Sequence, residues 1–171
     1  MLIATLLRHA KSSWRDAGLP DFDRPLNARG REAAPLMGAL MRRQGLLPDH
    51  ILCSPAERAR QTLDLVRAAH GRLGPPDLEE RLYHATPVTL LRAIHEQRDG
   101  TRHLLLVGHN PGLHQLAVWL TGGGSPALQR QLAEKLPTGG LVVLTFDIAQ
   151  WRDVRPGAGY LRMFARPRDV P

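Results

Sequence analysis

The 171-residue chain contains a single cysteine, Cys53, and no hydrophobic run long enough to suggest a membrane segment. One cysteine cannot form an intrachain disulfide and offers no cysteine pair for a structural zinc site. A transmembrane helix needs about 20 consecutive apolar residues, and residues 1–7 are too few for a secretion signal and have no basic leader. The sequence therefore predicts a cytoplasmic protein that does not bind membranes.

Motifs of two common classes of hydrolytic site are also missing. The chain has no H-E-x-x-H sequence, and His109 and His114 are five residues apart, so a zinc site on a helix is not predicted. Residues 108–112 have the glycine spacing of a serine-hydrolase nucleophile elbow, but their central residue is Asn110 rather than serine. We therefore expect no metal, no cofactor and no nucleophilic serine.

Acidic residues are outnumbered, since 23 Lys and Arg against 16 Asp and Glu give a net charge of +7. This charge suits an anionic ligand or an acidic protein partner, and it would also suit nucleic acid. The nearest approach to a basic cluster is formed by Arg152, Arg155, Arg162, Arg166 and Arg168. Because Asp153 and Asp169 interrupt this cluster, a solvated surface is the preferred interpretation, and nucleic acid is not an expected partner.

Three apolar segments each end in a short cluster of residue types that can bind phosphate. The segments and clusters are Leu2–Leu7 before Arg8 and His9, Ile51–Cys53 before Ser54–Arg58, and Leu104–Val107 before Gly108–Gly112. If the segments are parallel strands joined by crossover helices, all three clusters emerge at the carboxyl edge of one sheet. A last pair of strands, Leu141–Phe146 and Tyr160–Phe164, is expected to be antiparallel. The length suits one α/β domain over residues 1–171.

Local patterns predict where several helices begin and end. Ser54 is predicted to cap a helix with Pro55 at its first position and Glu57 completing a capping box. Asn110 is likewise predicted to cap a helix that starts at Pro111.

The remaining elements follow from the same reasoning. A helix over about residues 28–44 contains Pro35, which is expected to bend it or to move its start. Residues 77–82 are predicted to form a short strand, and a helix is expected from Thr86 to about Gly100. Gly122–Gly124 is predicted to end the helix that follows Asn110.

The three clusters together supply the chemistry that phosphoryl transfer needs, namely positive charge around the phosphate oxygens and an in-line nucleophile. Arg8 and Arg58 can donate forked hydrogen bonds to phosphate, and a neutral His9 can act as the nucleophile. Taken alone, His9 and His109 are each better explained as hydrogen-bonded residues at a strand end. Their joint placement with two arginines favours the catalytic interpretation.

Four motifs in order along the chain resemble those of the histidine phosphatase superfamily, which has the phosphoglycerate mutase-like fold. The motifs are Arg8–Trp14, Asp23–Gly30, Ser54–Thr62 and Val107–Pro111, and the resemblance covers about residues 2–147. Within the superfamily, the chain is most similar to the short SixA-type phosphohistidine phosphatases. The resemblance implies a three-layer α/β/α sandwich around a mostly parallel sheet with an antiparallel strand near the C-terminus.

The resemblance also implies a role for each matching residue. Arg8 would bind phosphate, His9 would become transiently phosphorylated, and Arg58 and His109 would complete the phosphate pocket. Lys11 and Ser12 are further candidates for binding the substrate, although a solvated loop explains them equally well. Such enzymes need no cofactor, and the short members lack the inserted lid segments of larger relatives.

The proton donor is the weakest part of the match. One branch of the superfamily has an acidic residue directly after the second histidine, where this chain has Asn110. Glu80 lies where the other branch has its donor, and Asp16, Asp21 and Asp23 are rivals in the long loop predicted over residues 11–28. The absence of a clear donor would suit phosphohistidine, because imidazole is a better leaving group than an alkoxide.

We therefore expect a metal-independent phosphatase that removes phosphate from phosphohistidine in a protein, for example a histidine phosphotransfer or phosphocarrier domain. One alternative is a phosphomonoesterase that acts on a small phosphate ester. Another is a basic, non-catalytic module that binds phosphoproteins or nucleic acid.

Overall fold

The computed structural model describes residues 1–171 and has a seven-stranded sheet with five α-helices. The strands are β1 (Leu2–Arg8), β2 (His50–Cys53), β3 (Asp77–Leu78), β4 (His103–Gly108), β5 (Thr121–Gly124), β6 (Leu141–Phe146) and β7 (Gly159–Ala165). The helices are α1 (Ala28–Arg43), α2 (Glu57–His70), α3 (Pro87–His95), α4 (Gly112–Leu120) and α5 (Pro126–Glu134). No helix has the length and apolar character needed to cross a membrane.

The strand order places the three predicted clusters at one edge of the sheet. The order is β3-β2-β4-β1-β6-β7-β5, in which β3, β2, β4 and β1 are parallel and β6 is antiparallel to both of its neighbours. The register pairs Arg8 with Gly108 and Cys53 with Val107, so β1, β2 and β4 end level with one another. The predicted α/β fold, with a mostly parallel sheet and an antiparallel strand near the C-terminus, is confirmed.

Helices cover both faces of the sheet because the central strands are apolar on both sides. In β4, Leu104 and Leu106 belong to a core shared with α3, α4 and α5, whereas Leu105 and Val107 belong to a core shared with α1 and α2. This alternation follows from the two-residue period of a strand. Each fully buried leucine contributes about 1.5–3 kcal/mol to stability, so both cores hold the sheet in place.

Two predicted helix caps are wrong, and both of those residues have other partners. Helix α2 begins at Glu57 after Ala56, and α4 begins at Gly112 after Pro111. The hydroxyl of Ser54 instead forms a hydrogen bond with the His109 ring. The side-chain amide of Asn110 donates to the carbonyl oxygen of Leu136. Ser54 and Asn110 thus form hydrogen bonds at the carboxyl edge of the sheet and do not cap the helices that follow them.

Three further local predictions need correction. Residues 77–82 form only the two-residue strand β3 and then a 3₁₀ turn, Glu80–Leu82. Helix α3 ends at His95 rather than near Gly100. Helix α1 starts at Ala28 as predicted and continues through Pro35, so Pro35 does not move its start. Gly122–Gly124 forms part of β5 beside β7 instead of a simple helix stop. A Cβ on Gly122 would lie 1.8 Å from the carbonyl oxygen of Gly157, so only glycine allows this close approach.

Candidate active site

The carboxyl ends of β1, β2 and β4 meet at a cavity of about 320 Å³. It is lined by Arg8, His9, Lys11, Ser12, Trp14, Asp21, Arg24, Arg58, His84, His109, Asn110 and Thr138. All six residues that the sequence assigns to catalysis or phosphate binding are therefore found together. Glu80 is exposed on its 3₁₀ turn and is not part of the lining, and of its three rivals only Asp21 reaches the cavity.

His9 is positioned directly after β1 and is held in one tautomer. Its Nδ1 lies 2.8 Å from the carbonyl oxygen of Ala10, which can only accept, so Nδ1 carries the proton and Nε2 keeps its lone pair. Burial, with smaller effects from the charges of Arg58 and Arg8, lowers the pKa of His9 to about 3, although its bond to Ala10 opposes the shift. The ring is therefore neutral at pH 7, and Nε2 can act as a nucleophile.

His109 follows β4 and faces His9 across the cavity. The two ring centroids are 5.1 Å apart, and His9 and His109 are 7% and 4% exposed. Nε2 of His109 forms a 2.7 Å hydrogen bond with the Ser54 hydroxyl, which lies just after β2. Burial, followed by the charges of His9 and Arg58, lowers the pKa of His109 to about 3. Three parallel strands thus fix two neutral imidazoles side by side.

Arg8 and Arg58 bring guanidinium groups to the same cavity from β1 and from the first turn of α2. Nη1 of Arg8 donates to the carbonyl oxygen of Leu136 at 3.0 Å. Burial, followed by repulsion from Arg58, lowers the pKa of Arg8. Two cations so close together are stabilised by an anion between them, and a bidentate guanidinium fits the oxygens of a phosphate.

Asp21 holds the cationic wall of the cavity together. Its Oδ2 accepts from Arg58 Nη2 at 3.0 Å and from the Tyr83 hydroxyl at 2.5 Å, and its Oδ1 accepts from Arg24 Nη1 at 3.1 Å. Partial burial alone would raise the pKa of Asp21, but the bond from Tyr83 and the charge of Arg58 lower it to about 2. Asp21 is therefore ionised at neutral pH and cannot donate a proton.

His84 forms the rim of the cavity near Asp21. Its Nε2 lies 3.3 Å from Asp21 Oδ2, and its ring stacks on that of Tyr83 at 4.1 Å between centroids. Its φ of 50° is unusual for a residue with a side chain. The next residue, Ala85, packs tightly against the start of α4, because a Cβ on Gly112 would lie 1.9 Å from the carbonyl oxygen of Ala85. The segment after β3 is thus fixed against the start of α4.

Three buried polar atoms at the site make no hydrogen bond within the protein, namely Arg8 Nε, His109 Nδ1 and Asn110 Oδ1. Buried polar groups are nearly always paired in native proteins, and unpaired ones often mark the position of a ligand. The cavity is lined by four cationic side chains, Arg8, Lys11, Arg24 and Arg58, and by one carboxylate, that of Asp21. A tetrahedral anion would balance the charges and could accept hydrogen bonds from the two unpaired nitrogens.

Sequence reasoning missed Arg24, Tyr83 and His84 as parts of this network. A signal for the last two was present, because they follow a predicted strand that is parallel to β2 and so ends at the same edge. Arg24 lies in the long loop, where no periodic pattern fixes positions. It stacks on Trp14 at 3.3 Å from the ring centroid and donates to the Ser13 carbonyl oxygen at 3.0 Å. These contacts order the loop that carries Asp21.

Comparisons with known proteins agree with this geometry. Residues 4–85 match the model of the histidine phosphatase superfamily (branch 1). The uncharacterized protein Rv1276c of Mycobacterium tuberculosis is 42% identical over 95% of this chain and 100% of its own length. The structure of the proposed phosphohistidine phosphatase SixA of Agrobacterium tumefaciens is 31% identical, with a TM-score of 0.80 over 97% of this chain and 98% of that one.

A second proposed phosphohistidine phosphatase SixA, from Nakamurella multipartitia, is 26% identical and has a TM-score of 0.83 over 97% of this chain and 96% of that one. The fold and the site therefore define a phosphatase. The chain belongs to the histidine phosphatase superfamily and is a SixA-like member of it.

Proposed function

We propose that the protein is a metal-independent phosphohistidine phosphatase in which His9 is the nucleophile. The observation that carries the proposal is the hydrogen bond from Nδ1 of His9 to Ala10, which leaves Nε2 unprotonated in a cavity lined by Arg8, Arg58 and His109. A nucleophile fixed in its reactive tautomer beside cations needs little reorganisation before attack.

The reaction has two steps. Nε2 of His9 attacks the phosphorus, so that the bond to the substrate nitrogen breaks and a bond to Nε2 forms. Arg8 and Arg58 bind the equatorial oxygens, and His109 donates a further hydrogen bond to the phosphoryl group. Water then attacks the phosphohistidine of the enzyme, which releases inorganic phosphate and restores His9. Lys11 and Ser12 line the cavity and add further donors.

A protein substrate is supported by the surface around the cavity. Trp14 is 74% exposed at the rim, and Leu19 and Phe22 of the same loop are each 37% exposed. Exposed aromatic and apolar side chains next to a site are typical of surfaces that bind proteins. We propose a phosphotransfer or phosphocarrier domain as the substrate and the cytoplasm as the compartment, where a free thiol such as that of Cys53 stays reduced.

Phosphohistidine as the substrate, with imidazole as the leaving group, is supported by the positions of the carboxylates. Asp21 lines the cavity but is ionised, and Glu80 lies outside it. An alkoxide leaving group needs a positioned acid more than imidazole does. The sequence predicts Glu80 as the proton donor, and the exposed position of Glu80 does not add support to that role.

One observation favours the alternative, a phosphomonoesterase for small esters. His84 lines the cavity and lies against Asp21, and a protonated histidine held in this way could donate a proton to an alkoxide. The two functions differ in the leaving groups that they accept.

The experiment compares a phosphohistidine peptide, glycerol phosphate and p-nitrophenyl phosphate in the presence of a metal chelator, together with the variant His9→Ala. We expect turnover of the phosphohistidine peptide to exceed that of glycerol phosphate at least tenfold, and we expect a phosphoenzyme after an alkaline quench only when His9 is present. Equal turnover of glycerol phosphate would instead favour the esterase. Unchanged activity in His9→Ala would refute the assignment of the nucleophile.

A further inference from the structure

A second depression, which we call the basic groove, lies beside the catalytic cavity and has a volume of about 370 Å³. Its charged lining residues are Lys11, Arg29, Glu134, Lys135, Arg166 and Arg168. Lys11 and Thr138 line both the groove and the catalytic cavity, so the two are continuous. Residues from four separate parts of the fold form the groove, namely the loop after β1, α1, the end of α5 with its following loop, and the C-terminal turn.

Most of the positive charge in the basic groove has no partner. Arg166 is paired with Asp169, with 2.6 Å between Nε and Oδ2. Lys11, Arg29, Lys135 and Arg168 are exposed, and none of them has a carboxylate within 4.0 Å. The single carboxylate in the lining is that of Glu134. Unpaired cations around one depression attract a complementary anion and accelerate its association.

One wall of the groove is fastened to the catalytic residues. The carbonyl oxygen of Leu136 accepts from Arg8 Nη1 at 3.0 Å and from Asn110 Nδ2 at 2.8 Å. The backbone N–H of Gly139 donates to the carbonyl oxygen of His9 at 2.9 Å. A segment bound along Lys135–Thr138 would therefore lie at a fixed position relative to a phosphoryl group held at His9.

We propose that the basic groove binds an acidic segment next to the phosphohistidine of a protein substrate, an inference that rests on the proposed function. The exposed, separated cations suit several carboxylates along an extended chain better than one compact phosphate. A compact phosphate is typically held by converging and more buried donors, as in the catalytic cavity. The groove thus selects which phosphohistidine proteins are dephosphorylated, while the cavity performs the reaction.

The test uses two peptides of equal length, each with one histidine, flanked by glutamates in one and by glutamines in the other. Both are used phosphorylated for turnover and unphosphorylated, with a fluorescent label, for binding. For the wild-type protein at low salt, we expect kcat/KM and affinity to be about tenfold higher for the glutamate peptide, with a preference that weakens as salt increases.

The double variant K135E/R168E is expected to lose this preference while p-nitrophenyl phosphate turnover stays unchanged. The matched control R98E/R102E has the same change of charge at the opposite edge of the sheet, near the start of β4, and is expected to keep the preference. A preference that survives in K135E/R168E, or is lost equally in the control, would overturn the inference.

Two other outcomes would also overturn it. One is equal binding of the two peptides by the wild-type protein, even if both phosphopeptides are turned over as the proposed function requires. The other is tighter binding of a single-stranded oligonucleotide of the same net charge as the glutamate peptide, which would assign the groove to nucleic acid. If neither phosphopeptide is turned over, the proposed function fails, while the binding measurements still decide whether the groove recognises the acidic segment.

Discussion

The two ends of strand β4 carry similar histidines in different surroundings. His103 at the start and His109 after the end are both buried, and each forms a hydrogen bond through Nε2 with a hydroxyl, that of Thr5 at 2.8 Å and that of Ser54 at 2.7 Å. Burial is the main reason that the pKa of His103 is lowered to about 4 and that of His109 to about 3.

The difference between the two ends lies in what surrounds each ring. His109 shares a cavity with His9, Arg8 and Arg58, because three parallel strands end there. The carboxylate of Asp49 at the other end accepts from the backbone N–H groups of Arg102 and His103, at 2.9 and 3.2 Å. A buried histidine with a lowered pKa is therefore not a sufficient sign of a site. What identifies the active site is the convergence of cationic side chains on one cavity.

The largest expected effect separates the two histidines. His109→Ala should lower kcat for p-nitrophenyl phosphate by roughly 100-fold to 1,000-fold, because a donor to the phosphoryl group is lost. His103→Ala should leave kcat within about twofold but lower the free energy of unfolding by about 1–3 kcal/mol, since Thr5 loses its buried partner. Steady-state kinetics and urea denaturation measure the two effects. Similar kcat values for His109→Ala and His103→Ala would contradict the claim that only His109 belongs to the active site.

The carboxylates near the two ends of β4, Asp21 and Asp49, provide the next comparison. Asp21→Asn should lower kcat/KM about tenfold, because Arg58 loses the ion pair that orients it. Asp49→Asn should leave kcat/KM unchanged and destabilise the start of β4 by about 1 kcal/mol. The same kinetic and denaturation measurements apply. An Asp21→Asn enzyme with full activity would show that Arg58 is positioned without Asp21.

Removing the hydroxyl groups that bond to the two histidines should give a smaller difference in kcat. Ser54→Ala should lower kcat a few-fold, because the His109 ring loses its one hydrogen bond within the protein and with it a constraint on its orientation. Thr5→Ala should leave kcat unchanged and cost about 1–3 kcal/mol of stability, because His103 Nε2 is left without its partner. A larger loss of kcat in Thr5→Ala than in Ser54→Ala would contradict the placement of the active site at the carboxyl end of β4 rather than at its start.

The smallest expected change is in protonation near neutral pH. Imidazole NMR signals of His9, His109 and His103 should not titrate between pH 7 and pH 5, because the pKa values are lowered to about 3, 3 and 4. These values lie below the unfolded value of about 6.5, so the unfolded chain binds more protons and the free energy of unfolding falls as the pH drops from about 6.5 towards 3. A midpoint near 6.5 for His9 would mean that its ring is solvated.

The parallel strands and the four residues Arg8, His9, Arg58 and His109 could be predicted from the sequence. Apolar runs that end in phosphate-binding residues specify both the sheet and its edge, and the structure brings those residues together. Their catalytic roles remain a prediction. Ser54 was also identified at the edge, but as a helix cap, because cap residues and site residues after a strand have the same polar character.

Asp21 could not be singled out from Asp16 and Asp23, because its position depends on tertiary contacts. Those contacts are made with Arg58 from α2 and with Tyr83 from the segment after β3. A loop without a periodic pattern contains no local signal for such long-range partners. Strand β5 was missed for a similar reason, since glycines form it only by lying against β7.

The most direct test of the account is a crystal structure of the protein soaked with tungstate, a tetrahedral anion with the shape of phosphate. The account predicts one tungstate between Arg8, Arg58 and His109, with its metal atom facing Nε2 of His9. Tungstate found only in the basic groove, or His9 turned away from an occupied cavity, would contradict the claim that these residues bind one phosphoryl group.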